Sequence, residues 1–184
     1  MKANKLVLML FLTIALIGCK KEEKVEEKLD QQVETPKAEV FTFTLNAVIK
    51  ADDDFQIFFK EDNDSQSPYE EVNSVWSGAI KGNENAQDIV FTLPEAVYPT
   101  QIRFDFGQKK QDEILINSLK VDFKDKSVTF KGAEFFNFFT PDENFVKVDK
   151  TNSKIIPIEQ KDGKFDPMLY SNTDFTTEMS KLAQ

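Results

Sequence analysis

Arg103 and Asp105 lie two positions apart, between the apolar residues Ile102, Phe104 and Phe106. A strand through this segment turns the charged pair toward one face and the apolar trio toward the other. A guanidinium and a carboxylate on one sheet face form either an ion pair worth roughly 0–1 kcal/mol or a polar clamp for a ligand. Aromatic rings are the second ingredient. Trp76 is the only tryptophan, and the three tyrosines are Tyr69, Tyr98 and Tyr170. An exposed ring can stack on a sugar ring while nearby polar groups bond its hydroxyls, whereas a buried ring is core. Trp76 sits between Val75 and Ser77 in an expected strand, which places it in the core. Tyr69, beside Pro68, Glu70 and Glu71, is expected at the surface. These two rings, with Arg103 and Asp105, are the candidate ligand-binding residues.

The acids offer two other chemistries. Asp52 and Asp54 precede an expected strand, Phe55–Phe59, and Asp62 and Asp64 follow it. Calcium takes several oxygens from converging loops, so these four are its candidates. The sixth position counted from Asp62 is Ser67, where an EF-hand loop requires glycine. The reading is therefore solvated turns with calcium as the rival, and no metal or cofactor is assigned. A glycosidase needs two carboxylates at a set separation, but with 32 acidic residues such pairs are too common to be informative. The chain has no histidine, which excludes histidine-based triads and histidine-liganded zinc. No nucleophile elbow, phosphate loop, CxxC or HExxH pattern occurs. No catalytic residue is assigned, and a carboxylate-based hydrolase is the least favoured reading. The formal charge is −9 and Arg103 is the one arginine, a balance that repels nucleic acid.

The elements that would position these residues are strands. In Phe41–Ile49 every odd position is apolar, the period of a half-buried strand. Further strands are expected at Phe55–Phe59, Val75–Lys81, Ile89–Leu93, Ile102–Phe106, Glu113–Phe123 and around Val128 and Phe130, with two more at Phe145–Val148 and Ile155–Ile158. The apolar parity changes between Ile116 and Leu119, which predicts a bulge near Asn117 and Ser118. Strands of this size separated by turn residues indicate an all-β, antiparallel two-sheet sandwich, jelly-roll-like, with about eight strands. Ala133–Phe139 reads as a helical turn or an apolar loop. A short closing helix is expected over Phe175–Leu182, capped by Thr173 or Asp174. Eighteen phenylalanines suit a real core in one domain of about 140 residues.

The amino-terminal region reads differently. A basic start with Lys2 and Lys5 leads into twelve uncharged residues, Leu6–Ile17, then Gly18 and the one cysteine, Cys19. A basic start, a short apolar stretch and a small residue mark an export signal, and twelve falls short of the roughly 20 needed to cross a bilayer. Leu16-Ile17-Gly18-Cys19 resembles the lipobox of bacterial lipoproteins. That resemblance implies cleavage before Cys19 and acylation of its sulfur and new amino terminus. Two or more acyl chains hold firmly where one holds marginally. The implied organisation is a signal peptide at 1–18, a lipidated cysteine and charged tether at 19–39, and one sandwich domain at 40–184. Loss of Lys2 and Lys5 with the signal takes the formal charge from −9 to about −11. Lys20-Lys21-Glu22-Glu23 resembles the lysine-plus-acid export signal of Bacteroidetes-type surface lipoproteins, which implies an outer-membrane address facing the cell surface.

A second resemblance is shorter. Phe55–Phe58, Tyr69-Glu70-Glu71-Val72, Asp88–Leu93, Ile102-Arg103-Phe104-Asp105-Phe106-Gly107 and Glu113–Ile116 look like a β-sandwich module attached to some bacterial envelope glycosyltransferases. Phe106 stands where that pattern has proline. The module is similar in shape to carbohydrate-binding sandwiches, so the resemblance implies a glycan partner. The expected function is a lipid-anchored, non-catalytic, glycan-binding-like envelope protein. The alternative is an accessory protein that docks another envelope protein, for which Phe135-Phe136-Asn137-Phe138-Phe139 is the expected exposed patch.

Overall fold

A computed structural model describes residues 38–184 except Asn63 and Ser65. The expected signal, Cys19 and the tether up to residue 37 lie outside the described residues. Glu39, expected at the tether's end, is fastened to the domain: its carboxylate accepts from the Tyr98 hydroxyl and from Lys124 Nζ.

Among the described residues eleven strands form where about eight were expected. They are β1 (Phe41–Ile49), β2 (Asp53–Lys60), β3 (Ser74–Ile80), β4 (Gln87–Thr92), β5 (Gln101–Asp105), β6 (Ile114–Phe123), β7 (Lys126–Lys131), β8 (Phe139–Pro141), β9 (Val146–Asp149), β10 (Lys154–Pro157) and β11 (Met168–Ser171). All pairings are antiparallel. One sheet runs β4-β1-β6-β10-β9, with β7 also on β6, and the other runs β3-β2-β5-β11-β8. β8 and β11 are the strands without a sequence signal. They are three and four residues long, and Met168 and Leu169 are both buried, so no alternation betrays them.

The expected bulge in β6 is present. Asn46 pairs Ser118 and Ala47 pairs Ile116, so Asn117 is the extra residue. Leu119, Val121 and Phe123 therefore return to the core with Ile114 and Ile116.

Phenylalanine rings join the two inner faces. The Phe104 ring lies 5.3 Å from Phe139, 5.6 Å from Phe106, 5.8 Å from Phe91 and 6.3 Å from Phe135, centroid to centroid. Those offset and edge-on arrangements are the favoured ones for aromatic pairs. The segment expected as an exposed patch is inside. Phe135–Phe138 makes one helical turn, α1. Phe135, Phe136 and Phe139 are buried, and Phe138 packs on the core with its ring 4.2 Å from Phe130. The turn supplies three of the four rings and the first residue of β8 the fourth, all packed in or against the core.

The closing helix α2 spans Thr173–Ala183. Its cap is Asn172, not Thr173 or Asp174: Asn172 Oδ1 accepts from the backbone N–H groups of Asp174 and Phe175. Phe175, Met179 and Leu182 line its buried side. Among the described residues no helix is long and apolar enough to cross a membrane.

Candidate functional site

The site begins with a backbone irregularity in β3. Along β2 and β3, Asp54 pairs Ala79 but Gln56 pairs Trp76, so Ser77 and Gly78 oppose Phe55 alone. Gly78 has φ +75°, and the Ser77 hydroxyl accepts from the Phe55 N–H at 3.0 Å. This bulge reverses the side-chain parity. Ile80 enters the core while Trp76, also at an even position, faces outward and is 50% exposed. The expectation of a core tryptophan is thus overturned by one extra residue.

Trp76 shares the outer sheet face with its cross-strand partner Gln56 and with the carboxylates of Asp54, Asp105 and Asp166. The depression they line is about 20 Å³, room for about one water, so the surface is a platform. Gln56 is only 5% exposed. Its Nε2 donates to Glu71 Oε1 and Ser74 Oγ, each at 2.8 Å. Among the described residues its Oε1 receives no hydrogen bond, and the residue lines the depression.

The loop on one side of the platform is held by a residue that sequence reasoning passed over. Asp53 begins β2 and is 3% exposed. Its Oδ1 accepts from the N–H groups of Asp54 (3.0 Å) and Gln108 (3.2 Å). Its Oδ2 accepts from the Lys109 N–H and Gln111 Nε2, both at 3.2 Å. Gln111 also exchanges two hydrogen bonds with the Ala51 backbone. Gly107 must be glycine here: its φ is +85°, and a Cβ would lie 2.3 Å from the Asp53 carboxylate. Asp53 shares the odd parity of the buried Phe55, Ile57 and Phe59, and an acid on a buried face needs donors around it, which was the detectable signal.

Arg103 and Asp105 share the outer face, as expected, and form a two-pronged pair within β5. Arg103 Nε meets Asp105 Oδ1 and Nη2 meets Oδ2, both at 2.7 Å. The guanidinium carbon lies 4.0 Å from the centre of the Phe58 ring and 5.4 Å from that of Tyr69. Such stacking suits a planar, weakly hydrated cation. Burial pushes the Asp105 carboxyl above its ordinary range, outweighing the pull of Arg103, with Asp166 and Glu71 adding to the rise. Asp166 is pushed up as well, again by burial.

Tyr69 is not the surface ring expected. The connection from β2 to β3 folds back over the sheet and leaves Tyr69 half-buried against Phe58 and Tyr170, at 6.5 and 5.9 Å between centroids. Lys60 Nζ sits 4.6 Å from its ring. Burial raises the Tyr69 hydroxyl to about 12. Tyr69 roofs Arg103 and is not part of the Trp76 platform; Trp76 and Asp105 are brought together there, with Arg103 behind Asp105.

The four calcium candidates are dispersed. Asp52 accepts from Lys81 Nζ and the Gly82 N–H, Asp54 lies at the platform, and Asp62 and Asp64 bond their own loop. Among the described residues no three acids converge as a metal site would. The chain matches no known family model, no curated protein and no solved structure.

Proposed function

We propose that this protein is a lipid-anchored, non-catalytic binding module of the bacterial envelope, and that its Trp76 face takes glycan. The observation that carries the glycan half is Trp76 itself. A half-exposed indole on a sheet face, ringed by hydrogen-bonding carboxylates and a buried amide, is the arrangement that stacks on a pyranose while bonding its hydroxyls. The lipobox at Leu16–Cys19 supports the anchor, and the lysine-plus-acid segment after it supports display on the outer membrane. The docking alternative has lost its expected surface, since the Phe135–Phe139 rings are packed inward.

Two experiments test this reading. Full-length protein in detergent is screened on arrays of envelope and plant polysaccharides, and retention on at least one sugar class is expected; no binding to any class removes the glycan half. Mass spectrometry of protein taken from cells is expected to find acyl groups on Cys19, and a free thiol there removes the anchor.

A further inference from the structure

The Trp76 platform does not end at Trp76. Asp166, which lines it, also lines a second depression of about 470 Å³. That depression holds a second aromatic side chain, the half-buried Phe145, and the exposed Lys161. The two hollows therefore meet at one carboxylate, with an aromatic ring on each side of it. Their chemistry differs. Around Trp76 acceptors predominate: Asp54, Asp105, Asp166 and the unbonded Oε1 of Gln56, beside the Gln108 amide. No lining residue of this hollow is cationic, and Arg103, bound to the lining Asp105, is spent on it and shielded between Phe58 and Tyr69. In the second hollow Lys164 is paired with Asp162 at 2.9 Å, which leaves Lys161 as a donor.

We infer that the ligand is a linear, uncharged oligosaccharide lying across both hollows, with rings stacked at Trp76 and Phe145 and hydroxyls bonded by Asp166 between them. This rests on the glycan reading above and adds its length and charge. A single sugar covers one hollow and leaves the other unused. A uronic acid at the Trp76 end sets its carboxylate against those of Asp54 and Asp166, with Asp105 already paired to Arg103 and no cationic side chain in the lining, and like charges at close quarters repel.

Because Trp76 is the only tryptophan, its fluorescence in the full-length protein reports occupancy directly. The probes are β-1,4-linked glucose, mannose, xylose and N-acetylglucosamine oligomers of increasing length, with oligogalacturonate for comparison. For the class that binds, affinity is expected to rise about tenfold or more from disaccharide to hexasaccharide, the gain of a second set of contacts. Phe145→Ala and Lys161→Ala are expected to abolish that gain, so that long and short chains bind alike. Lys161 is exposed, so its variant separates lost contact from lost folding. Oligogalacturonate is expected not to bind. Equal affinity for short and long chains, or tight oligogalacturonate binding, overturns the two-hollow assignment while the glycan reading stands. Silence toward every sugar overturns both.

Discussion

Asp53→Asn is the substitution whose cost the structure defines best. The side chain keeps its shape, so no cavity opens, but only one of its two terminal atoms can still accept. Asp53 takes two donors on each oxygen. Whichever way the amide turns, its NH₂ faces two N–H groups. Two hydrogen bonds to a charged acceptor are lost, at about 1.5–3 kcal/mol each. Water can reach some of these donors, because Gln108 and Lys109 lie at an exposed turn. The expected net loss is therefore about 2–4 kcal/mol. Urea unfolding followed by Trp76 fluorescence measures it. Asp54→Asn, one residue away and exposed, is the control and should shift stability by no more than about 0.5 kcal/mol. A loss below about 1 kcal/mol for Asp53→Asn, or equal losses for the two variants, refutes the view that this carboxylate holds the 107–111 loop.

Three further outcomes follow from the packing. Phe104→Ala removes the ring at the centre of the aromatic core and should cost about 3–5 kcal/mol by calorimetry or denaturant unfolding. Asn172→Ala removes the cap of α2 and should cost about 1 kcal/mol, with a loss of helical circular dichroism at the carboxyl terminus. The Tyr69 hydroxyl, raised by burial to about 12 from an ordinary 10.0, favours the folded state while protonated. That contribution is whole below pH 10 and is lost as pH climbs through 12. Tyrosinate absorbance should show Tyr69 ionising after an ordinary tyrosine does, and Tyr69→Phe should blunt the alkaline loss of stability.

Most of the sandwich was legible because half-buried strands announce themselves by alternation. Phe41–Ile49 does so without interruption, and the change of apolar parity around Asn117 locates the bulge of β6. The failures share a cause: parity or burial changed without an apolar residue to mark it. In β3 the bulge falls on Ser77 and Gly78, two residues with no hydrophobic signature, so Trp76 was assigned to the wrong face. In β2 both faces are covered, which puts Gln56, Phe58 and Lys60 inside and hides the alternation of Phe55, Ile57 and Phe59. Tyr69 was misplaced because its loop returns over the sheet, and only long-range packing reveals that. Arg103 and Asp105 were placed on the correct face because β5 is short and regular.

The claim on which the functional account turns is that Trp76 is a platform for sugar. Calorimetric titration of the wild type and Trp76→Ala with the glycan that the wild type retains tests it most directly. With half the indole already in water, the substitution should leave the unfolding midpoint near the wild-type value while weakening the glycan about tenfold or more. Undiminished binding by a folded Trp76→Ala protein would contradict the account.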